Sequence, residues 1–546
     1  MNRMPEARTL PQLVRELAEV WGPRQALAGA GRALTYAQMQ SEVWCIARRL
    51  HRLGVRAGDK VGILMGNRVE WATSCLAITS LGAVMVSLNT WATVRELQYM
   101  LAHSETRTLI AYPTFLKADY GAMLRELEPH AQQLPHLREI LGSGAALPKG
   151  WLPLFDRATE DEIIYDAEIA AAGTAVRPED IAYLLYTSGS TAKPKGVQLQ
   201  HYPLIENLWN IGERMLVTEH DRLWLAVSMF WGLGCSNALF NLLTHGGSIV
   251  MQEAFEPGEA LRLIAKERCT MFYGTANMAQ AMHEHPDRPR RDLSSLRGGA
   301  AVGTPEQIMR VIELGAAEIC NIYGMTEGYG NCHVADARDP LQKRLESVGR
   351  ILPNWQQKIV SPEGQVLPPG QVGELLLKGY VTPGYFKDPA ATAASFDAEG
   401  YFRTGDLAYL DADGYLYFRG RLKELVKTGG INVAPAEVEE VIMALPGVRL
   451  VQVVGVPDAV RDELLAAVIV LNPGAALTVE AVVTHCRATL AAYKVPRLVR
   501  FVGERELPLT TTGKIHKSRI AATFFAAQAA GAGNSVSQSD VKGDTA

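Results

Sequence analysis

Short apolar runs alternate with longer segments in which apolar residues recur every three or four positions. The runs 61–65, 83–88 and 181–185 have the length of strands, whereas the periodic segments 37–53 and 68–80 predict helices. Strands that alternate with helices in this way build parallel βαβ layers. The sequence therefore predicts an α/β fold with layered, mostly parallel sheets covered by helices.

The pattern changes after about residue 340. Turn residues such as Pro362-Glu363-Gly364 separate short β runs there and predict hairpins of a small β subdomain. Segment 130–178 is polar and irregular, which predicts a surface connection. We expect a large domain over 1–420, a small α+β domain over 424–528 and a disordered tail over 529–546, because the tail is rich in glycine, serine and glutamine.

Composition narrows the class of protein. The chain has 546 residues and a net charge of −4, with no basic block, so nucleic acid is not expected as a partner. Its seven cysteines are scattered without metal-ligand spacing, which favours a reducing, cytoplasmic location. The uncharged stretches Trp71–Val94 and Leu223–Gln252 contain glycine and many polar residues, so we expect buried elements and no transmembrane segment.

The segment 186–196 follows a predicted buried strand and reads Tyr-Thr-Ser-Gly-Ser-Thr-Ala-Lys-Pro-Lys-Gly. Glycine lets a backbone approach an anion closely, while N–H groups, hydroxyls and lysines donate to it or neutralise it. These features predict a phosphate loop that is not of the Walker type, although a plain polar connection stays open. The candidate phosphate-binding residues are Thr187, Ser188, Gly189, Ser190, Thr191, Lys195 and Gly196.

Further strings accompany this loop in a fixed order. They are Asn321-Ile322-Tyr323-Gly324-Met325-Thr326-Glu327, Tyr401-Phe402-Arg403-Thr404-Gly405-Asp406, Gly420-Arg421-Leu422-Lys423-Glu424 and Pro508-Leu509-Thr510-Thr511-Thr512-Gly513-Lys514-Ile515. Together with the phosphate loop they resemble the motifs of the adenylate-forming superfamily, which includes acyl-CoA synthetases, luciferases and peptide-synthetase adenylation domains. The resemblance spans roughly residues 30–520. One departure is Ala192, where that family usually has glycine.

The resemblance implies roles for individual residues. Tyr323 would stack on adenine beside Asn321 and the small residues Gly299, Ala300 and Ala301. Thr326 would contact the α-phosphate and Glu327 would hold Mg²⁺, which prefers carboxylate oxygens and substrate phosphates. Asp406 would bind the ribose, with Arg421 as a second ribose or phosphate contact, although alone Asp406 would be a turn or cap residue.

The resemblance also implies a mobile small domain. Residues 421–423 would form the hinge, with Lys423 as the pivot, although a solvated lysine is an alternative for that residue. Lys514 would be the catalytic lysine that bridges the substrate carboxylate and the α-phosphate, because an ammonium neutralises the repulsion between them. Gly429 and Gly430 would line the pantetheine tunnel of CoA-using members.

The expected activity is that of an ATP-dependent, AMP-forming acid:CoA ligase that uses ATP, Mg²⁺ and coenzyme A. Phe230, Trp231, Gly324 and Tyr329 are the candidate acyl pocket, with Trp231 also as a gate to the CoA tunnel. Acetate-specific relatives carry tryptophan at the position of Gly324, so glycine implies a larger substrate. The predicted lining contains no lysine or arginine and favours a medium- or long-chain, cyclic or aromatic monocarboxylic acid.

Several alternatives stay open at this point. The acceptor could instead be a carrier protein, or the adenylate could be oxidised. A catalytically weak, adenylate-binding regulatory protein is suggested only by Ala192. Trp231 could be an ordinary core residue. The sequence does not decide between a monomer and a homodimer.

Overall fold

A computed structural model describes residues 3–144, 146–156, 165–187, 194–428, 431–458, 461–509 and 515–526. The chain divides into two compact units. The first comprises Met1–Lys358, Leu376–Arg403 and Leu410–Tyr417, and the second comprises Ile359–Leu375, Thr404–Tyr409 and Phe418–Ala546. The domain boundaries at 420 and 424 stay a prediction.

The first unit contains a seven-stranded sheet whose strands, in spatial order, are Lys195–Gln200, Ile181–Thr187, Val84–Ser87, Lys60–Leu64, Thr106–Ala111, Glu139–Gly142 and Leu152–Pro153. All neighbouring pairs are parallel except the first, which is an antiparallel hairpin. Its inner strands are apolar on both faces, as buried parallel strands must be.

A nine-stranded sheet in the same unit has the spatial order Arg350–Ile351, Gly330–Val334, Glu318–Met325, Gly298–Val302, Met271–Thr275, Arg222–Leu225, Ser248–Met251, Gln25–Gly29 and Arg32–Thr35. The six strands from Glu318–Met325 to Gln25–Gly29 are mutually parallel, and antiparallel strands flank them. A parallel core with antiparallel edges is common in large sheets.

The α-helices of the first unit are Leu10–Trp21, Tyr36–Arg52, Val69–Ser80, Val94–His103, Tyr120–Glu126, His130–Gln133, Asp166–Ala175, Pro203–Arg214, Leu239–Thr244, Pro257–Glu267, Ala276–His283, Pro305–Glu313, Leu341–Glu346 and Pro389–Ala394. Short 3₁₀ turns lie at Arg288–Arg290 and Thr326–Gly328, a π-helical turn at Leu233–Ala238, and a two-stranded ribbon at Thr114–Phe115 and Ala118–Asp119. The start of the Tyr36 and Val94 helices is fixed by capping boxes, in which Thr35 and Thr93 bond the third helical N–H.

The alternation predicted from the sequence is confirmed, with one correction. Segment 130–178, expected to be an irregular connection, contributes the strand Glu139–Gly142 and the helix Asp166–Ala175. The strand pairs in parallel with Thr106–Ala111 inside the seven-stranded sheet. It is only four residues long, which is too short for periodicity to reveal.

The two uncharged stretches are buried elements, as expected. Every residue of the helix Val69–Ser80 is buried, as is every residue of the helix Leu239–Thr244. Across the described parts of the chain, no helix combines the length and apolarity needed to cross a membrane.

Four strands, Gln356–Val360, Gly373–Lys378, Phe402–Leu410 and Leu416–Arg421, form a separate four-stranded sheet, and the chain passes from one unit to the other within them. The second unit continues with the strands Val426–Thr428, Ile431–Val433, Val448–Asp458, Asp462–Leu471 and Leu498–Phe501 in a five-stranded sheet. Its helices are Pro435–Met443, Val479–Thr489 and Lys517–Phe524, with 3₁₀ turns at Leu422–Glu424, Ala492–Lys494 and Glu504–Glu506.

This five-stranded sheet is covered on both faces, which follows from the period of two along its strands. Val453 packs into one core together with Val438 and Val482 of two helices. Its neighbour Val454 packs into a second core, together with Ile520 of the last helix. Successive side chains of a strand point to opposite faces, so a continuous apolar run supplies both cores.

Candidate active site

The site region of the first unit lies at the carboxyl edge of the nine-stranded sheet. The strands Gly298–Val302 and Glu318–Met325 run parallel there, with Ala301 opposite Asn321. Loops converge at this edge of an open parallel sheet, and ligands bind beside it. The buried Asn321 amide donates to the Gly303 carbonyl at 3.5 Å and so ties the ends of the two strands together.

The small-residue wall expected for adenine begins with a glycine that no other residue can replace. Gly299 has a φ of +125°, and a Cβ at this position would overlap the Phe272 carbonyl oxygen of the neighbouring strand. Ala300 and Ala301 are both buried. The adjacent backbone therefore leaves no room for a side chain at position 299.

The Tyr323 ring is fixed by a buried histidine. Tyr323 packs edge-on against His333, with ring centroids 5.9 Å apart. The His333 Nε2 lies 2.7 Å from Oε1 of Gln357. Burial lowers the pKa of His333 to about 4, so the imidazole is neutral near pH 7 and adds no charge beside Tyr323.

The structure gives a different reason for glycine at position 324 from the larger substrate expected from the sequence. A Cβ at this position would overlap the Gly330 carbonyl oxygen and approach the Asn331 Cα at 2.5 Å. The strand register shifts at this point, between Tyr323 and Gly324, and brings the two backbones together. Glycine is required here by the close approach of the strand Gly330–Val334, so it does not simply leave an open space for substrate.

Glu327 lies in the 3₁₀ turn Thr326–Gly328, directly after the strand. Its backbone carbonyl accepts from the Thr382 N–H at 2.7 Å, and its Oε1 accepts from the Tyr385 hydroxyl at 2.9 Å. The Tyr385 ring also lies under the Lys195 ammonium, with Nζ 4.5 Å from the ring centroid. The structure thus brings together Glu327 and Lys195, which belong to two separate sequence motifs.

The ends of the expected phosphate loop are held by one helix. Thr187 pairs with Lys195 across the antiparallel hairpin. On the helix Val94–His103, the Tyr99 hydroxyl donates to the Pro194 carbonyl at 3.1 Å, and His103 Nδ1 lies 2.8 Å from the Tyr186 hydroxyl. The predicted residues Ser188, Gly189, Ser190 and Thr191, and also Ala192, lie outside the described residues.

An aromatic cluster lies at the predicted acyl pocket. Trp231 is partly exposed and packs against Phe230 and Trp91, with ring centroids 5.2 and 5.5 Å away. Partial exposure argues against an ordinary core role for Trp231. The π-helical turn Leu233–Ala238 follows directly, and such turns are frequent at functional sites.

Gly234 and Tyr329 are both tightly packed. A Cβ at Gly234 would lie 2.6 Å from the Ser228 carbonyl oxygen. Tyr329 is fully buried, and its hydroxyl accepts from the Gln200 N–H at 2.9 Å. Tyr329 therefore secures the strand Lys195–Gln200, and its place in the acyl pocket stays a prediction.

The second unit brings together another pair of predicted residues. Arg421 Nε lies 3.1 Å from Oδ1 of Asp406, whose side chain is 6% exposed. Asp406 lies within the strand Phe402–Leu410, not in a turn. Lys423 is exposed in the turn Leu422–Glu424, and its hinge role stays a prediction. The predicted residues Gly429, Gly430 and Lys514 lie outside the described residues.

The donors present fit a magnesium ion shared with a substrate better than a permanent metal centre. Among the residues that the structure describes, no group of three His, Cys, Asp or Glu side chains could hold a metal. Mg²⁺ bound with nucleotide typically takes one or two carboxylates and completes its shell with phosphates and water. Glu327, a partly exposed carboxylate at the strand edge, fits that mode.

Sequence reasoning missed Tyr385, Tyr99, His103 and Trp91. Tyr385 is 58 residues from Glu327 in the chain, and no spacing rule relates the two positions. Tyr99 and His103 are separated by one helical turn, but their pattern is that of any amphipathic helix. Only the folded chain shows what these side chains contact.

Comparison with known families agrees with this geometry. The model of the AMP-binding enzyme family matches residues 14–386, and that of the AMP-binding enzyme C-terminal domain matches residues 437–514. The chain therefore belongs to the AMP-binding enzymes, the adenylate-forming superfamily, within its branch of AMP-forming acyl-CoA synthetases.

Individual relatives are similar over nearly their whole length. A feruloyl-CoA synthase of Amycolatopsis sp is 33% identical over 506 residues, which cover 91% of this chain and 96% of that protein. The mitochondrial medium-chain acyl-CoA ligase ACSF2 of Danio rerio is 30% identical over 536 residues, covering 94% and 88%. The crystal structure of the anthranilate CoA ligase AuaEII in complex with anthranoyl-AMP is 28% identical, with a TM-score of 0.81, covering 96% and 99%.

Proposed function

We propose that this enzyme activates a medium- or long-chain, cyclic or aromatic monocarboxylic acid and transfers it to CoA. The observation that carries the substrate class is the cluster of Trp91, Phe230 and Trp231 at the predicted acyl pocket. Aromatic side chains provide a large apolar surface with defined ring-packing geometry. The names of the relatives, which include a feruloyl-CoA synthase and a medium-chain ligase, support the same range.

In the first half-reaction, a carboxylate oxygen of the acid attacks the α-phosphorus of ATP. The bond between this phosphorus and the bridging oxygen breaks, and pyrophosphate leaves with the electron pair. Lys195 and Thr326 would bind phosphate oxygens, and Lys514 would bridge the two anionic reactants. Glu327 would hold Mg²⁺, which when bound neutralises phosphate charge.

In the second half-reaction, the CoA sulfur attacks the acyl carbonyl carbon. The bond between that carbon and the AMP oxygen breaks, AMP leaves, and the thiol proton passes to solvent. The mixed anhydride is already activated, so the protein needs mainly to position the thiol. Gly429 and Gly430 would line the path of the thiol. The second unit would rotate about Lys423, which would withdraw Lys514 and present the surface formed by Gly429 and Gly430.

The ribose would be held in the second unit. Asp406 is buried, and the pairing of its Oδ1 with Arg421 orients the carboxylate. The carboxylate would accept hydrogen bonds from the ribose hydroxyls. Asn321, Tyr323 and the small residues Gly299, Ala300 and Ala301 would hold the adenine.

A panel of carboxylic acids tests the proposal. Pyrophosphate release would be measured for short, medium, long, cyclic and aromatic acids, with and without CoA, and thioester would be identified by mass spectrometry. We expect aromatic, cyclic or medium-to-long acids to give the highest kcat/KM and acetate to be poor. Preference for acetate or for a dicarboxylic acid would contradict the substrate class, and adenylate formation without thioester would point to another acceptor.

A further inference from the structure

Tyr385 joins two predicted parts of the site. Its hydroxyl donates to Glu327 Oε1 at 2.9 Å, and its ring centroid lies 4.5 Å from Lys195 Nζ. The side chain is buried, with 8% of the residue exposed. One residue therefore contacts both the carboxylate expected to hold Mg²⁺ and a lysine expected to bind phosphate.

The backbone around Tyr385 is fixed independently of these two contacts. Tyr385 forms an antiparallel bridge with Val197, and the next residue, Phe386, donates its N–H to the Gly196 carbonyl at 2.7 Å. The Tyr385 N–H donates to Thr392 Oγ1 at 2.9 Å. The backbone position of Tyr385 is thus set by the strand Lys195–Gln200 and by Thr392.

The same segment also holds the main chain of Glu327. Thr382 donates its N–H to the Glu327 carbonyl at 2.7 Å, and its hydroxyl donates to the Gln198 carbonyl at 2.6 Å. Residues 382–386 therefore bridge the turn Thr326–Gly328 and the strand Lys195–Gln200 through both backbone and side chain. Within this bridge, Tyr385 is the residue whose side chain contacts the charged groups of Glu327 and Lys195.

The Tyr385 hydroxyl donates the hydrogen bond, and the Glu327 carboxylate accepts it. A neutral hydroxyl can orient a carboxylate while leaving its negative charge in place. Fixing one oxygen of a carboxylate leaves the other available as a ligand.

We propose that Tyr385 is a positioning residue that pre-orients Glu327 for Mg²⁺ and Lys195 for the phosphates of ATP. The proposal rests on the proposed function, in which these two residues bind MgATP. Tyr385 touches no reacting atom. The Glu327 carboxylate lies at the hydroxyl of the ring, and the Lys195 ammonium lies over its face. Tyr385 would thus keep the two charges from pairing with each other, so that each stays available to MgATP.

Two substitutions separate its two contacts. Tyr385→Phe keeps the ring under Lys195 and removes the hydroxyl, and with it the hydrogen bond to Glu327. Tyr385→Leu removes both contacts. Tyr120→Phe is the matched control, because it also removes a buried hydroxyl, one that donates to the Thr90 carbonyl at 2.7 Å and not to Glu327.

The measurement is ATP affinity by calorimetry, with Mg²⁺ and with chelator, together with the melting temperature of each variant. Mg²⁺ should raise the affinity for ATP, and we expect this increase to be about tenfold smaller in Tyr385→Phe than in the parent enzyme. That reduction corresponds to the loss of one hydrogen bond to a charged group. The affinity of this variant for ATP in chelator should match that of the parent enzyme. Tyr385→Leu should weaken binding under both conditions, and Tyr120→Phe should change neither.

The outcome for Tyr385→Phe decides the proposal, because phenylalanine fills the same space and the variant should fold. An unchanged Mg²⁺ dependence in Tyr385→Phe would overturn it. Glu327→Gln distinguishes a failure of the positioning role from a failure of the proposed metal ligand. If Glu327→Gln loses the Mg²⁺ effect while Tyr385→Phe keeps it, only the positioning role is wrong. If Glu327→Gln also keeps the Mg²⁺ effect, the assignment of Glu327 as the metal ligand is wrong as well.

Discussion

Two carboxylates with proposed ligands, one in each unit, differ in what holds them. Glu327 of the first unit accepts a hydrogen bond from the neutral Tyr385 hydroxyl. Asp406 of the second unit is buried and pairs with the guanidinium of Arg421, whose side chain is 51% exposed. One carboxylate is oriented by a neutral donor, and the other is compensated by a cation.

This difference decides which ligand each carboxylate suits. A carboxylate fixed by a neutral donor keeps its full attraction for a metal ion. A carboxylate already paired with a guanidinium has part of its charge compensated, so it suits the hydroxyls of a neutral sugar better than it suits a cation. Under the proposed function, the same side-chain chemistry would bind a cation in one unit and a neutral ligand in the other.

The largest effect is expected for a substitution of Lys514. This substitution would separate the two half-reactions, because Lys514 is proposed to act in adenylate formation alone. Lys514→Ala should reduce adenylate formation by about a thousandfold or more, because a positive charge at the reacting phosphate is lost. The variant should still convert supplied acyl-AMP and CoA to thioester. Pyrophosphate exchange and thioester formation would be measured separately, and an equal loss in both would contradict the assignment.

A matched pair of isosteric changes tests the comparison of carboxylates directly. Glu327→Gln should lower kcat/KM for adenylation by about a hundredfold and flatten the Mg²⁺ titration, because the amide carries no charge. Asp406→Asn should raise the KM for ATP by about tenfold, the effect of weakening one charged hydrogen bond.

The readout that distinguishes them is the choice between ATP and its 2′- and 3′-deoxy analogues. The parent enzyme and Glu327→Gln should discriminate against the analogues, whereas Asp406→Asn should discriminate less. If both variants lost Mg²⁺ dependence and neither lost ribose discrimination, the two carboxylates would have the same role and the comparison would fail.

A smaller effect is expected at Trp231, which should act as a gate to CoA. Trp231→Ala should leave adenylation nearly intact and raise the KM for CoA several-fold, while acyl-AMP escapes to water. The control is Trp224→Ala, since Trp224 is fully buried and such truncations cost about 3–5 kcal/mol. A large fall in the melting temperature of Trp231→Ala, with CoA dependence unchanged, would restore the core interpretation.

The smallest effect is expected at the helix that holds the phosphate loop. Tyr99→Phe removes the hydrogen bond to the Pro194 carbonyl and keeps the ring stacked on His103, so the KM for ATP should rise about threefold, the effect of one neutral hydrogen bond. Tyr36→Phe is the control, because its hydroxyl donates to the Gly247 carbonyl at 2.6 Å, away from the loop. Equal KM values for ATP in the two variants would contradict a role of the helix Val94–His103 in nucleotide binding.

The sequence by itself determined the α/β class and the order of most strands and helices. Periodicity was sufficient for the helix Tyr36–Arg52, because its buried residues recur every three or four positions along one face. It was not sufficient for Glu139–Gly142, a short strand whose place depends on its neighbour in the sheet.

The motifs likewise identified Lys195, Glu327 and Asp406 as candidates, because turns, strand ends and charged residues are local features of the chain. Only the tertiary structure decided what these side chains contact. Tyr385 reaches Glu327 across 58 residues, and the reason Gly324 must be glycine is the backbone of a different strand. Such contacts arise when distant segments pack together, and short-range sequence patterns carry no record of the distance between them.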